Sequence, residues 1–385
     1  GAGTPMSHSE AFAFPHRVAA LRAQIASVAD PSIDGLLVTH LENAKYLTGF
    51  TGSNALVLMT PEDALFLTDG RYELQAAQQV PGFTRIIVPQ GTTMQQAAVE
   101  EAKRLGLRRV GFEAAHLTVR SFDALRGAAA TAAAGAETPL EWVPLNNTVE
   151  AVRQFKDADE LATMRRAIRL VDDCFQFIRD TVRVGMTERE LAWEMEVFLR
   201  TRGAQRLSFD SIVGSGPNSA LIHGRPTDRR IGESGGPEFL LLDFGAQVDG
   251  YCSDLTRTLV VGGAPTEQMR AQYDAVRAAQ QAALDAIRPG AKGRDIDTLA
   301  REALADRGFP PFAHGLGHML GRVCHDGMAL SQLSDVTLAP GMVLTVEPGV
   351  YVEGFGGVRI EDDVLVTESG CEILTTAPKE LLVAG

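Results

Sequence analysis

Asp243, Asp254, His318, Glu347 and Glu361 could together hold a pair of divalent ions, because four carboxylates and one imidazole make the ligand set of a hydrolytic dinuclear centre. Asp243 closes the apolar run Phe239-Leu-Leu-Leu242. Asp254 follows eleven residues later, past the turn sequence Asp249-Gly250 and at the head of Leu255-Thr-Arg-Thr-Leu-Val260. Two adjacent antiparallel strands would bring both side chains to one spot. Glu347 ends the apolar stretch Leu344-Thr-Val346, and Glu361 lies in Val358-Arg-Ile-Glu-Asp-Asp363. Singly, each acid reads more readily as a cap, turn, strand-end or salt-bridge residue than as a ligand. Buried together, they require cations or protons beside them.

The histidine of the set sits in His314-Gly-Leu-Gly-His318. Imidazoles at i and i+4 would suit one face of a helix, but Gly315 and Gly317 argue against a regular helix and for a loop or short strand presenting His318. His223, in Ile222-His-Gly-Arg-Pro226, and His325, in Val323-Cys-His-Asp326, are further candidates for catalysis or for hydrogen-bonded structural roles. Gly214-Ser-Gly216 lacks the Gly-Lys-Ser/Thr ending of a phosphate loop and reads as a turn beside a cleft.

These residues need elements to position them. Before residue 145, short apolar runs bounded by Gly, Pro, Asn or Asp predict buried strands at 35–40, 55–59, 64–68, 85–88 and 109–112, between helical stretches. That is an α/β domain with a mixed sheet, spanning 6–148; Gly1–Pro5 reads as a remnant of expression. The second domain is set at 158–385. There Leu161, Met164, Ile168, Val171, Phe175 and Ile178 predict an amphipathic helix over 158–182. Thr187-Glu-Arg-Glu190 is a capping box opening a helix to about 201. Two more helices are expected over 267–287 and 295–307, with strands at 239–243, 253–261, 342–347 and 358–366. A helix pair followed by a strand pair, twice, suggests a duplicated α+β arrangement.

Composition narrows the partners. A net charge of −13 argues against nucleic acid. The four cysteines stand far apart with no Cys-x-x-Cys pair, which favours reduced thiols and a cytoplasmic location. No apolar run reaches the roughly 20 residues needed to cross a bilayer, so no membrane partner is expected.

In order and spacing, Leu242-Asp-Phe-Gly245, Ser253-Asp-Leu-Thr-Arg257, His314-Gly-Leu-Gly-His318, Thr345-Val-Glu-Pro-Gly349 and Arg359-Ile-Glu-Asp362 resemble motifs of the pita-bread metallopeptidases, in particular the aminopeptidase P and prolidase branch that cleaves Xaa-Pro bonds. The resemblance spans the chain. It implies an N-terminal α/β domain like that of creatinase and prolidase, followed by an α+β pita-bread catalytic domain. It implies that Asp243 chelates one ion, that Asp254 and Glu361 bridge both, and that His318 and Glu347 hold the other. His314 would hydrogen-bond near the scissile carbonyl, His223 and His325 would bind and orient the substrate, and Arg359 would lie near its proline or carboxylate end. Arg322 departs from the pattern and is expected at the pocket rim or beside an acid.

An oxygen-rich set favours Mn(II), with Co(II) or Zn(II) as substitutes. The ions would activate a water and polarise the peptide carbonyl, while Glu347 passes a proton to the leaving proline nitrogen. Proline-containing peptides are the expected partners, and a homodimer the expected assembly. The reading leans to an aminopeptidase removing the residue before proline, because the chain is short and has no insertion to cap the site. An Xaa-Pro dipeptidase is the alternative, and a non-catalytic binding module the distant one.

Overall fold

The computed structural model describes residues 11–133, 135 and 138–385. The expected leader and the expected domain start at Met6 lie outside them. The chain divides into two compact units, the first ending at Arg153 and the second starting at Gln154.

The first unit is built on a six-stranded mixed sheet in the order 84–88, 64–69, 56–59, 35–38, 109–113, 141–145. The two middle pairings, 64–69 with 56–59 and 56–59 with 35–38, are antiparallel; the outer ones are parallel. Both faces are covered, which is why the strands read as continuous apolar runs. Leu36 and Val38 face the helices Pro15–Ile25 and Leu41–Thr48, while Leu37 faces Met94–Arg104 and Val119–Ala132. The helix Thr148–Arg153 belongs to this unit, so the division falls beyond the boundary drawn at 148 from the sequence.

In the second unit each helix pair covers its own strands. Ala158–Thr181 and Glu188–Thr201 both open on full capping boxes, at Asp157/Glu160 and Thr187/Glu190. They bury Val171, Phe175, Ile178, Leu191 and Met195 against Leu240, Leu242, Phe244 and Leu259 of the strands 238–244 and 255–261. Each such side chain contributes about 1.5–3 kcal/mol. Glu267–Ala286 and Gly293–Ala305 do the same with Tyr273, Val276, Ile296 and Leu304 over Leu344, Val346, Val358 and Ile360.

The strand expected at 358–366 is two strands. Gly356–Arg359 pairs with Gly349–Val352, and Asp362–Val366 pairs with Val343–Val346. Between them Glu361 leaves both ladders to bridge Thr256. The interruption is what turns Glu361 toward the strand that follows Asp254.

Candidate metal centre

Three pairings assemble the site. Strands 238–244 and 255–261 run antiparallel with Thr256 opposite Asp243, which places Asp254 just beyond the end of the ladder on the same side of the pair. Next, the segment carrying His318 lies along strand 343–346: the Glu347 N–H donates to the Leu316 carbonyl (2.8 Å), and the Leu320 N–H to that of Val343 (3.0 Å). Gly317 permits this approach, since a Cβ there would sit 1.8 Å from the Thr345 carbonyl oxygen. Finally, the Glu361 N–H donates to the Thr256 carbonyl (3.0 Å), and the Thr256 hydroxyl donates to Glu361 Oε1 (2.7 Å).

One donor atom each from Asp254, His318, Glu347 and Glu361 falls within 4.8 Å of the others. His318 Nε2 is 3.4 Å from Asp254 Oδ2 and 3.5 Å from Glu347 Oε2, longer than well-formed hydrogen bonds. Its Nδ1 bonds the Met319 carbonyl (2.9 Å), which leaves Nε2 as the atom turned to the acids. The Thr345 hydroxyl accepts from the His318 N–H (3.1 Å) and donates to Glu347 Oε2 (2.7 Å). Arg359 holds Asp243 at 2.7 Å and reaches the Tyr351 hydroxyl at 3.0 Å.

Asp243 Oδ1, Asp254 Oδ1, His318 Nε2, Glu361 Oε2 and Asp363 Oδ1 are buried with no hydrogen-bond partner. Each like-charged pair at about 4 Å costs roughly 4 kcal/mol at an effective dielectric near 20. Without cations the acids must therefore take up protons. Burial pushes Asp243 up to about 7 although Arg359 pulls the other way. Burial and the charges of Asp254 and Glu347 hold Glu361 well above the carboxylate range, and burial with Asp254 does the same to Asp363. Burial also works against charge on Glu347 and His318. The neighbouring Glu361 carboxyl, neutral when protonated, and the His318 cation nonetheless bring Glu347 down to about 2, and Asp254 and Glu347 raise His318 to about 10. Orphaned oxygens, an unpartnered imidazole nitrogen and a surplus of negative charge are what a site for divalent cations presents. The residues fit such ions.

A cavity of about 210 Å³ opens onto this cluster. Asp243, Asp254, His318 and Glu347 line it together with His223, His325, Phe209, Asp210 and Arg225. Buried Glu188 fixes the loop bearing His223 by accepting from Ser215, Asn218 and Thr227. Two residues expected on the substrate side, Arg359 and His314, stand away from the cavity lining. Arg359 is buried behind Asp243 and does not line the cavity. His314 spends its Nδ1 on the Gly315 carbonyl and its Nε2 on the Tyr351 hydroxyl (2.8 Å), so it joins a chain running His314, Tyr351, Arg359, Asp243. Arg322 lies over the Tyr251 ring, away from the cavity lining. Sequence reasoning passed over Tyr351, Thr256, Thr345, Cys324 and Asp363, whose Oδ2 accepts from the Asp254 N–H (3.0 Å).

Fold and site together define a metallopeptidase of the pita-bread type, preceded by a creatinase-like domain. Residues 162–368 match the metallopeptidase family M24, and residues 17–155 match the creatinase/prolidase N-terminal domain. The chain belongs to metallopeptidase family M24. It is 40% identical over 352 residues to an uncharacterized peptidase of Bacillus subtilis (strain 168), covering 91% of this chain and 96% of that one. Among solved structures it is similar to an Xaa-Pro dipeptidase from Bacillus anthracis (TM-score 0.88, 36% identity, 96% of this chain and 99% of that one). It is also similar to an X-Pro aminopeptidase from Thermotoga maritima MSB8 (TM-score 0.82, 33% identity, 91% and 98%).

Proposed function

We propose that this protein is a dinuclear metal-dependent exopeptidase that hydrolyses the bond between an N-terminal residue and a following proline. The observation that carries this reading is the set of partnerless buried atoms on Asp243, Asp254, His318 and Glu361, three of whose residues line a cavity together with Glu347, His223 and His325. The Xaa-Pro dipeptidase from Bacillus anthracis and the X-Pro aminopeptidase from Thermotoga maritima, both covered almost end to end, support the Xaa-Pro preference. Asp243, Asp254, His318, Glu347 and Glu361 would hold the ions, with Mn(II) the first choice for an oxygen-rich set and Co(II) or Zn(II) able to replace it. When bound, such a pair supplies an activated water and a Lewis acid for the peptide carbonyl.

The chain's own residues do the rest. Ionised Glu347, oriented by Thr345, accepts the proton of the attacking water and delivers it to the proline nitrogen, a tertiary amide nitrogen that must be protonated to depart. His223 and His325, at the cavity wall, bind and orient the peptide. Arg359 acts through Asp243, and His314 through Tyr351, as positioning groups.

On substrate length we favour the aminopeptidase. The brevity of the chain no longer argues for it, because the Bacillus anthracis dipeptidase has the same extent. Charge does support it. The Arg359 guanidinium behind the cavity already has a carboxylate partner, Asp243 at 2.7 Å, and exposed Arg225 at the cavity wall faces Asp210 at 3.8 Å. A second carboxylate directly after proline, which a dipeptide would present, competes with those acids; a continuing peptide bond does not. The experiment is Mn(II)-activated hydrolysis of an Xaa-Pro dipeptide beside an Xaa-Pro-Yaa tripeptide, with a chelated control. Cleavage of the tripeptide is expected. Cleavage of the dipeptide alone assigns the dipeptidase, and silence toward both with metal bound returns the binding module.

A further inference from the structure

Cys324 adds to this cluster a donor of a different kind. Its Sγ lies 3.3 Å from Asp254 Oδ2, and the side chain is buried. One donor atom each from Asp254, His318 and Cys324 falls within 4.8 Å of the others, a spread that one ion with bonds of about 2.0–2.3 Å can bridge. The thiol has company that points to a cation: Asp254, only 4% exposed, and His318 each keep a buried polar atom without a partner, Oδ1 and Nε2. The loop that presents Cys324 is pinned by backbone bonds, Cys252 N–H to the Gly321 carbonyl (2.8 Å) and Asp326 N–H to that of Met319 (2.9 Å). Cys252, the neighbouring thiol, faces the Gln247 amide and the Arg322 carbonyl, both at 3.9 Å.

We infer that Cys324 is a sulfur ligand to the ion shared by Asp254 and His318, and that it raises this centre's affinity for thiophilic divalent ions, Zn(II), Co(II) or Cd(II), above what the carboxylate and imidazole donors alone would confer. The inference rests on the dinuclear reading proposed above. Coordination breaks the S–H bond, gives the sulfur electron pair to the ion and releases the proton to solvent; no oxidation state changes. Thiolate donors favour these ions over Mn(II).

The test uses the full chain, stripped with chelator under reducing conditions and refilled with Co(II), with ions per chain counted by elemental analysis. The wild type should show a sulfur-to-cobalt charge-transfer band in the near ultraviolet. Cys324→Ala and Cys324→Ser should lose that band while retaining two Co(II), and Cys252→Ser should keep it. Affinity for Cd(II) should fall roughly 10- to 100-fold in the Cys324 variants, the range that loss of a supporting group at a metal site produces, while that for Mn(II) holds. Two bound Co(II) with no sulfur band in the wild type overturns the role of Cys324 and leaves the dinuclear reading standing. Failure of the wild type to bind Co(II) at all overturns both. Because the wild-type spectrum decides, the inference stays falsifiable even where a variant folds poorly.

Discussion

Each unit of this protein gathers acids and histidines into a cluster, and the two clusters are built on opposite principles. In the first unit Glu113, His116 and Glu150 bring donor atoms within 4.8 Å of one another, as Asp254, His318, Glu347 and Glu361 of the second unit do. Yet Glu113 accepts from the backbone N–H groups of Thr39 (2.6 Å) and His40 (2.8 Å) and from the Asn43 amide (2.5 Å). Glu150 accepts from Asn43 (2.9 Å) and meets His116 at 2.7 Å. None of these side chains leaves a buried atom without a partner, whereas Asp243, Asp254, His318, Glu361 and Asp363 all do. Proximity of metal-binding residue types therefore says little. What separates a ligand set from a hydrogen-bonded strut is unmet demand for positive charge.

The sharpest way to break this comparison is to exchange the fates of the two clusters. Asp254→Ala and Glu361→Ala should each lower turnover by at least about 1,000-fold and shed metal in parallel, since each would remove a ligand of the proposed ion pair. Glu150→Gln in the first unit should leave both unchanged, and parallel kinetics with elemental analysis check this. Next in size is the scaffold beneath the ligands. Arg257, fully buried, pairs with Asp362 and donates to the carbonyls of Thr256, Glu361, Ala377 and Pro378. Arg257→Met strands those acceptors and should cost about 3–5 kcal/mol by denaturant melting. Arg359→Gln frees Asp243 from its guanidinium and should weaken metal binding by roughly 10- to 100-fold with the fold intact, as read by titration.

The smallest effect is a pH dependence in the first unit. His40 stacks on His116 with ring centroids 3.8 Å apart. Burial first, then His116 and Arg153, hold its pKa below the ordinary 6.5. A depressed folded pKa contributes stability that is present above 6.5 and is lost as the pH falls through the folded value. His40→Phe should therefore reduce the loss of melting temperature between pH 7 and pH 5, by about 2 °C or less for a half-exposed ring.

Much of the centre was legible in the sequence because its ligands end or interrupt apolar runs, where a charge has no local excuse. Asp243 after Phe239-Leu-Leu-Leu242 and Glu347 after Leu344-Thr-Val346 are such positions, and the apolar spacing over 158–182 and the capping box at Thr187 marked the helices behind them. Contacts made across long separations were not legible. Thr256 meets Glu361 across 105 positions, and Asp254 meets Asp363 across 109, so nothing local marks Thr256 or Asp363 as special. The same applies to the break at Ile360-Glu361, where the run 358–366 reads as one strand because only tertiary pairing divides it. His314 and Arg359 show a further limit. Their types announce chemistry, but whether an imidazole or guanidinium meets substrate or holds a neighbour depends on what surrounds it, here Tyr351 and Asp243.

The most direct test of the account is a calorimetric titration of Mn(II) into the chelator-stripped chain, repeated on Asp254→Ala and Glu150→Gln. Two sites per chain in the wild type, kept in Glu150→Gln and lost in Asp254→Ala, is the predicted result. Ions that persist without Asp254, or that leave with Glu150, would contradict it.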